Sequence, residues 1–400
     1  MQVMQEICPK IDCTGCQTCR LICPKSAIRM EEDVNGHIYP KVDQQECINC
    51  GLCVKHCPSV NSVSLNSPFQ VIAGWIMDSK QRKSSTSGGI SYVLSKFIVQ
   101  AGGYFCGVVW DKQTYASKHY LTNDINQLGI FQGSRYSHSD VNEVFKEIKT
   151  LLLDGKIILF SGTPCQVAGL KSYLGKSYEN LYTVDLICHG VPSKRILRDR
   201  VISIERISGK KVVDLKSREK TPNQYFTSTR YFHDDGTSTY VSVYEDPFFR
   251  CFVKNYCLRP NCYRCKYSQK RRVSDLTIGD YWGYVPDSIK FRSYRKGTSV
   301  ILINSSKGES LFDGIKKELV YEERDFENAA SCNRNLIGPQ EKPKGCDEFW
   351  RAYIAGESLE NLSEKYFPSI KFKIKKSVWL KAWIKMLLPL GIVKLLKKGR

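Results

Sequence analysis

The chain has 400 residues, with 60 lysines and arginines against 40 aspartates and glutamates, and it contains 18 cysteines. Because 42% of the residues are hydrophobic and 25% are charged, the composition excludes disordered, collagen-like and mucin-like chains. The first ten residues lack the pattern of a secretory signal, and no stretch is long and apolar enough to span a bilayer. We therefore expect a cytoplasmic protein whose thiols bind metal instead of forming disulfides.

Two cysteine runs near the N-terminus repeat the pattern C-x2-C-x2-C-x3-C-P, which is typical of 4Fe-4S proteins. In such runs the fourth cysteine, displaced by the proline, binds the other cluster. The predicted ligands of one 4Fe-4S cluster are Cys13, Cys16, Cys19 and Cys57, and those of the second are Cys47, Cys50, Cys53 and Cys23. Zinc is the alternative interpretation, although zinc sites usually combine paired C-x2-C knuckles or cysteine with histidine.

Residues 36–43, between the two runs, alternate apolar and polar side chains and so predict a short hairpin strand. With this strand, residues 1–62 resemble a bacterial two-cluster ferredoxin. Cys8 and His56 lie outside the ligand pattern, and we expect a spare thiol and a surface side chain there. Residues 63–69, in a Ser- and Asn-rich stretch, are predicted to be a linker.

A hydroxyl- and glycine-rich loop, residues 84–89, follows the strand predicted at 71–77 and precedes apolar residues at helical spacing. A loop of this kind at the start of a helix offers free backbone N–H groups to an anion. Phosphate binding is one interpretation, and a plain helix N-cap is the other.

Two further predicted strands, residues 156–161 and 181–187, end in loops that contain Cys165 and Cys188. Pro164 follows the first strand at a position that suits a helix start. Because ligands of open α/β sheets bind at the carboxyl ends of strands, we expect both thiols near a ligand site. The alternative for each thiol is a small buried hydrophobic side chain.

A third metal site is predicted by the run Cys257, Cys262 and Cys265, which places three thiols within nine residues. A third 4Fe-4S cluster needs a fourth ligand, for which Cys188 is the first choice and Cys165 the second. A zinc knuckle is the alternative. The remaining isolated cysteines are interpreted as structural, and they are Cys106, Cys251, Cys332 and Cys346.

Seven motifs follow one another in the order 84–89, 132–136, 160–166, 188–193, 257–265, 274–283 and 296–299. Together they resemble the family formed by the beta subunits of coenzyme F(420) hydrogenases and dehydrogenases, over about residues 70 to 350. The resemblance implies an iron–sulfur flavoprotein that binds FAD and exchanges electrons with a deazaflavin coenzyme or another organic acceptor. Relatives that work without the deazaflavin include a chlorophyll-pathway reductase and proteins associated with surface-polysaccharide synthesis.

FAD is implied by this resemblance alone, because no G-x-G-x-x-G fingerprint follows a strand. The resemblance places the flavin near Ser87, Gly88, Gly89, Arg135, Thr163 and Cys165, and near the strand end at Cys188 and His189. The residues to test first for setting the flavin potential or supplying protons are His189, Asp280 and Lys296. Their alternatives are a turn histidine bonded to backbone, a turn cap and a solvated lysine.

Two blocks hold most of the excess positive charge. Residues 250–272 contain eight basic and no acidic residues, and residues 371–400 contain ten basic and no acidic residues. Since the rest of the chain is nearly neutral, a nucleic-acid-binding role is excluded. The first block can offset the charge of clusters or of an anionic acceptor. The second is predicted to be an amphipathic helix, which either contacts the inner face of the membrane or packs on protein.

The predicted architecture is a ferredoxin-like domain followed by an α/β domain of flavin-binding type. We expect the α/β domain at 70–325, a helical extension at 326–370 and the basic tail at 371–400. The predicted function is that of an oxidoreductase passing electrons between clusters, FAD and a small-molecule acceptor, with a redox partner protein or reduced ferredoxin. The alternative is a non-catalytic electron-transfer subunit that docks on a partner enzyme.

Overall fold

The structure is a computed structural model that describes residues 6–112, 114–220 and 227–369. The basic tail predicted at 371–400 therefore lies outside the described residues, and so does its predicted membrane contact. Within the described ranges, no helix is both long enough and apolar enough to cross a bilayer.

The N-terminal part has two short helices and a hairpin. Its elements are α1 (Thr18–Ile22), β1 (Ile28–Glu32), β2 (Ile38–Val42) and α2 (Leu52–Lys55). The two strands are antiparallel, with Ile28 opposite Val42, so the strand predicted at 36–43 is confirmed. Gln17 and Gly51 hold equivalent positions in the two cysteine runs, and both are left-handed, with φ of 66° and 72°. The repeated sequence thus produces a repeated backbone turn around each set of thiols.

The C-terminal part contains two sheets. Its strands are β3 (Gln70–Ile76), β4 (Tyr104–Asp111), β5 (Ala116–Thr122), β6 (Ser139–Asp140), β7 (Ile158–Gly162), β8 (Leu181–Leu186), β9 (Val212–Lys220), β10 (Thr227–His233), β11 (Ser238–Ser242), β12 (Leu276–Asp280), β13 (Ser299–Ile303) and β14 (Leu319–Glu323). Among the described residues, nine strands form one sheet in the order β14-β3-β13-β12-β8-β7-β4-β5-β6. The other three, β9 to β11, form a separate antiparallel sheet.

Helices cover the larger sheet and extend the chain beyond it. They are α3 (Ser79–Ser84), α4 (Ile90–Gln100), α5 (Val144–Leu153), α6 (Pro164–Leu174), α7 (Lys194–Ser208), α8 (Pro247–Val253), α9 (Ser306–Ile315), α10 (Phe326–Ala330), α11 (Cys346–Ile354) and α12 (Leu359–Tyr366). Short 3-10 helices lie at Lys10–Asp12, Ile125–Phe131, Pro260–Arg264, Ile289–Lys296, Lys316–Glu318 and Arg334–Leu336. Pro164 occupies the first turn of α6, and Thr163 with Gln166 forms a capping box before it, which confirms the predicted helix start.

The central strands of the larger sheet are parallel and buried. Strand β7 is parallel to both β4 and β8, and β12 is parallel to β8. Ile158, Leu159 and Phe160 of β7 are fully buried, as is typical of a strand covered on both faces. The carboxyl ends of β7, β8 and β12 therefore meet at one edge. Strand β3 runs in the same direction, because two antiparallel pairings separate it from β12, so the loop at 84–89 reaches this edge too.

Candidate redox centres and cofactor pocket

The first group of thiols, called the outer set, lies at the solvent-facing side of the N-terminal part. It consists of Cys23, Cys47, Cys50 and Cys53, which all line one small pocket. Cys50 is exposed, and Cys47 and Cys23 are half-buried. Burial raises the pKa of Cys53, and the charges of Cys50 and Cys23 add to that shift. The four ligands predicted for one cluster thus converge on one site.

The second group, called the inner set, consists of Cys13, Cys16, Cys19 and Cys57, and all four are buried. Burial raises the pKa of Cys19 well above its usual value, and the charges of the other three thiols raise it further. Four buried thiols gathered at one site suit an iron–sulfur cluster. The exchange of Cys23 and Cys57 between the two runs matches the crossed pattern expected from the sequence.

Cys8 lies beside the inner set, and His56 differs from its predicted environment. The Cys8 thiol lies within hydrogen-bond reach of Cys13 and Cys57, and this contact lowers the pKa of both. The His56 ring does not point to bulk solvent, because its Nδ1 lies 2.6 Å from the Ser172 carbonyl oxygen of α6. His56 therefore joins the N-terminal part to the C-terminal part, which is called the larger domain below. The prediction of a surface side chain is corrected.

Helix α6 holds the inner set against the larger domain. The Thr18 hydroxyl donates a hydrogen bond of 2.9 Å to the Gly169 carbonyl oxygen, and the Cys16 thiol lies 3.5 Å from the same hydroxyl. A Cβ atom on Gly169 would lie 2.8 Å from the Cβ of Cys16, closer than such atoms normally approach. Only glycine therefore lets α6 approach the inner set this closely.

The third group, called the third set, brings together Cys165, Cys188, Cys262 and Cys265. Burial raises the pKa of Cys188 well above its usual value, and the charges of Cys262, Cys165 and Cys265 raise it further, in that order. The Cys262 sulfur also accepts a hydrogen bond of 3.3 Å from the Val191 backbone N–H. Both candidates for the fourth ligand therefore lie with Cys262 and Cys265.

The prediction for Cys257 is corrected by its surroundings. This thiol is fully buried in the apolar core with Phe248 and Leu258, next to Cys251 and Cys346. It faces this core because the chain turns between Cys257 and the 3-10 helix that carries Cys262. The spacing of three cysteines cannot reveal that one side chain points away from the other two.

Within the described ranges, no group of three or more His, Cys, Asp or Glu side chains is arranged to hold a metal ion. A 4Fe-4S cluster differs from a single ion, because each of its four thiolates binds a different iron atom and the ligands stand farther apart. Each of the three sets consists of thiols alone, which is the donor chemistry that such clusters use.

Tyr267 lies between the inner and third sets. Its ring is buried, its hydroxyl has no hydrogen-bond partner, and burial raises its pKa. The charges of Cys165, Cys16 and Cys265 raise that pKa further, so thiols of both sets lie close to the ring. The three sets thus follow one another from the solvent-facing side of the N-terminal part into the larger domain.

A pocket of about 660 Å³ opens at the carboxyl edge of the larger sheet. Its size falls in the range of cofactor and substrate sites. The lining includes residues predicted for cofactor binding or catalysis, namely Ser87, Gly89, Arg135, Thr163, His189 and Asp280. It also includes Cys188, so the third set borders the pocket. Gly88 and Cys165 lie beside it without lining it, and Lys296 is exposed outside it.

The start of α4 faces this pocket without a side-chain cap. Gly89 precedes the helix in the left-handed region with φ of 88°, and no side chain bonds the first-turn N–H groups. Ile90 and Ser91 of that turn line the pocket. Gly89 is thus the N-cap of α4, as the N-cap interpretation expects, and because glycine has no side chain to bond them, the first N–H groups of the helix also remain open to an anion.

Two half-buried basic side chains lie beside the loop at 84–89, and one of them, Lys220, bonds to it directly. The Lys220 ammonium donates hydrogen bonds of 2.7 Å and 2.8 Å to the Ser87 and Arg82 carbonyl oxygens. Arg135 donates to the Leu215 carbonyl oxygen at 3.2 Å, whereas its buried Nε has no partner. The sequence analysis missed Lys220, which no motif marks, because its role depends on β9 crossing the loop.

The candidate proton-transfer groups have different environments. The Asp280 carboxylate accepts a hydrogen bond of 2.6 Å from Arg218 Nη1, so it is an ion-pair partner and not a free acid. Burial lowers the pKa of His189, which keeps the ring neutral, and its Nε2 lies 3.3 Å from the Phe252 carbonyl oxygen. Lys296 is a surface residue of the 3-10 helix Ile289–Lys296, so the prediction of a role at the pocket is corrected.

Comparison with known proteins gives matches to both parts. Residues 155–329 match the family described as the C terminus of the coenzyme F(420) hydrogenase/dehydrogenase beta subunit, and residues 12–61 match a 4Fe-4S dicluster domain. One subunit of the F(420)H(2) dehydrogenase of Methanosarcina mazei is 21% identical over 320 residues, covering 77% of this chain and 83% of that protein. The ferredoxin-type protein NapF of Haemophilus influenzae is 41% identical over 51 residues, 13% of this chain and 28% of that protein.

A solved structure, that of the F(420)-reducing NiFe hydrogenase complex from Methanosarcina barkeri, aligns with a TM-score of 0.44 and 17% identity. The alignment covers 75% of this chain and 91% of that chain. The two family matches confirm the resemblance carried by the sequence motifs. The chain is therefore an iron–sulfur protein that combines a 4Fe-4S dicluster domain with the C-terminal domain of the family of coenzyme F(420) hydrogenase/dehydrogenase beta subunits.

Proposed function

We propose that this chain is an iron–sulfur flavoprotein oxidoreductase that passes electrons between 4Fe-4S clusters and FAD and reduces or oxidises an organic acceptor. The observation that carries the proposal is the shared wall between the third set and the pocket, to which Cys188 contributes. A cluster at the third set would lie next to whatever the pocket binds. Clusters bound at the three sets supply one-electron transfer.

FAD binding is supported by the chemistry of the pocket. The volume of about 660 Å³ suits a large cofactor, and the start of α4, which has no side-chain cap, provides backbone N–H donors for phosphate groups. The Ser87 hydroxyl lines the same pocket but already donates a hydrogen bond of 3.0 Å to the Thr298 carbonyl oxygen. The half-buried Arg135 lines the pocket and adds a positive charge, and its buried Nε has no hydrogen-bond partner. Bound FAD supplies the exchange between one-electron and two-electron chemistry. His189, neutral and at the pocket wall, is the residue of this chain that would hold or move a proton there.

The acceptor in this proposal is a deazaflavin coenzyme or a biosynthetic intermediate, including one of surface-polysaccharide synthesis. The relative from Methanosarcina mazei is a subunit of an F(420)H(2) dehydrogenase, which supports a redox partner protein for this chain as well. The outer set suits such a partner, because Cys50 is exposed and the neighbouring Ile48 is 54% exposed. A donor such as reduced ferredoxin could approach this face without displacing any described element.

Anaerobic purification with iron, sulfide and flavin counts and EPR tests the proposal. We expect about twelve iron atoms and one FAD per chain, since each of three clusters holds four irons. Replacing Cys262→Ala removes about four irons, whereas the matched control Cys257→Ala leaves the count unchanged. Iron without flavin would refute the flavoprotein, and equal losses in both variants would refute the third set. Flavin bleaching by reductant without reoxidation by any acceptor would favour the alternative of a non-catalytic electron-transfer subunit.

A further inference from the structure

A buried guanidinium lies between the inner set and the third set. Arg259 is 1% exposed, and its backbone belongs to the third-set loop, where its carbonyl oxygen accepts a hydrogen bond of 2.8 Å from the Cys262 N–H. Its side chain leaves that loop and reaches the inner set. The Nε donates 2.7 Å to the Cys13 carbonyl oxygen, and Nη2 lies 3.5 Å from the Cys13 sulfur. One residue thus contacts ligands of two sets.

The charge of Arg259 has no carboxylate partner in the described part of the chain. Its Nη2 also donates 2.7 Å to the Ile38 carbonyl oxygen, and the guanidinium stacks 4.3 Å from the Tyr39 ring centroid, but Nη1 has no partner. The equally buried Arg272 pairs with Asp185 at 3.0 Å. The guanidinium of Arg259 therefore lacks the negatively charged partner that the guanidinium of Arg272 has.

A third buried arginine shows that a buried guanidinium can do without a carboxylate partner when all of its nitrogens donate hydrogen bonds. Arg82 is 5% exposed, and all three of its guanidinium nitrogens donate to oxygens of Ser293 or Gly297. At Arg259 the neighbours are less favourable, because His138 and His37 are buried beside it and provide no negative charge. An unpaired cation in the interior is strongly unfavourable, so an anion is needed at this position.

We propose that the counter-ion of Arg259 is the iron–sulfur cluster of the inner set together with that of the third set, and that Arg259 raises the reduction potential of both. This inference rests on the proposed function, since it requires clusters at these thiols. A 4Fe-4S cluster with its four thiolates carries net negative charge. Reduction adds one electron, which the donor loses, so the cluster becomes more negative and a fixed cation nearby favours that state.

Arg259 is thus a positioning residue that acts through electrostatics and not a catalytic residue. The same side chain joins the two parts of the molecule, because its acceptors, Cys13 and Ile38, lie in the N-terminal part. The variant Arg259→Met loses this charge but keeps an aliphatic side chain. The inner and third clusters should then be harder to reduce, whereas the outer cluster, which Arg259 does not contact, should change little.

Redox titration of the full-length, anaerobically purified protein with dithionite, followed by EPR, tests this inference. In Arg259→Met we expect a full iron count and at least a tenfold fall in the equilibrium constants for reducing the inner cluster and the third cluster, which is 59 mV for one electron. Arg259→Lys keeps the charge and should keep most of the potential. Arg264→Met is the matched control, because Arg264 lies in the same loop but its side chain is 58% exposed.

The outcomes separate this inference from the proposed function. Arg259→Met with full iron and unchanged potentials overturns the inference and leaves the proposed function standing. Arg259→Met could instead lose iron. In that case, iron retained in Arg259→Lys supports the requirement for a positive charge. Iron lost from both variants overturns the inference, because the guanidinium hydrogen bonds and not the charge are then what the clusters need. A wild-type protein without iron refutes the proposed function itself.

Discussion

The outer and inner sets have the same cysteine spacing but different surroundings. The four thiols of the inner set are between 7% and 9% exposed, whereas Cys50 of the outer set is exposed and two of its neighbours are half-buried. The difference arises because α6 and Arg259 cover the inner set, while nothing in the described residues covers Cys50. The spacing determines which thiols converge, and the packing of the two parts determines how much solvent each set meets.

This contrast has electrochemical consequences. Solvent exposure and hydrogen bonds to sulfur are main determinants of cluster potentials. Clusters in two sets with equal spacing should therefore differ in potential, and only the outer one can meet a partner protein directly. The contrast can be tested by removing a cysteine from each set, by disturbing the packing of α6 on the inner set, and by protonating buried histidines with acid.

The largest expected effect is the loss of one cluster. Cys19→Ala and Cys50→Ala should each remove about four irons. Only Cys19→Ala should also separate the two parts, because α1, which carries Cys19, contacts α6. Separation should expose the linker, whose Asn66 exchanges backbone hydrogen bonds of 2.7 and 2.8 Å with Arg272. Iron analysis and cleavage by proteinase K measure the two effects.

Cys332→Ala, at an exposed thiol outside all three sets, is the control for both measurements and should change neither. Equal linker cleavage in Cys19→Ala and Cys50→Ala would show that the inner set has no special part in holding the molecule together.

A smaller effect is expected from Gly169→Ala in α6. The new methyl group would lie 2.8 Å from the Cys16 Cβ and 2.9 Å from the Thr18 hydroxyl, so α6 and the inner set must move apart. Overpacking of this kind costs about 1–3 kcal/mol, more than the gain of about 0.5–1 kcal/mol from replacing a helical glycine. The net cost of about 0.5–2 kcal/mol should raise linker cleavage by about 2- to 30-fold. Gly338→Ala, with no atom within 4 Å, is the control, and a stabilised Gly169→Ala would contradict the close approach.

The smallest effect is expected from acid. Burial lowers the pKa of His119 to about 4 and that of His138 well below its usual value, so both are neutral in the folded protein. The unfolded chain binds these protons near pH 6.5, so stability falls as the pH drops from about 6.5 towards 4, by at most about 1.4 kcal/mol per pH unit for each histidine.

His138 touches the N-terminal part, because a Cβ on Gly15 would lie 2.6 Å from its Cε1, whereas His119 stacks on Phe160 within the larger domain. Linker cleavage should therefore increase in acid, and His138→Leu should flatten that pH profile. His119→Leu should flatten the profile of overall stability instead. A linker profile unaffected by His138→Leu would contradict a role for this contact.

The sequence predicts local features of the fold well. The strands next to Cys165 and Cys188, the proline at the start of α6 and the hairpin strand between the cysteine runs all occur within one or two residues of the expected bounds. These features depend on residues that are neighbours along the chain. The two groups predicted for the eight thiols of the repeated motif also come together in space, although the exchange of Cys23 and Cys57 makes each group depend on contact between the two runs.

Features that depend on distant contacts could not be predicted. Spacing alone could not exclude Cys257 from the third set, nor show that Cys165 and Cys188 both join it. The basic block at 250–272 is predicted to compensate negative charge, and the sequence could not show that several of its side chains also bind backbone carbonyls of the N-terminal part or the linker. Lys266 bonds to the Pro58 carbonyl oxygen and Arg271 donates 2.8 Å to that of Leu65.

The wide spread of the third set along the chain has a consequence for how the protein matures. The inner and outer sets come from residues 13–57, so their clusters can be inserted as soon as this short segment has left the ribosome. The third set joins Cys165 with Cys265, and β8, α7 and the antiparallel sheet of β9 to β11 lie between them in the chain. The cluster proposed at this set could be inserted only after most of the larger domain has been synthesised and folded. If the third set binds the proposed cluster, cells short of iron should therefore accumulate a form that has its first two clusters and lacks the one beside the pocket.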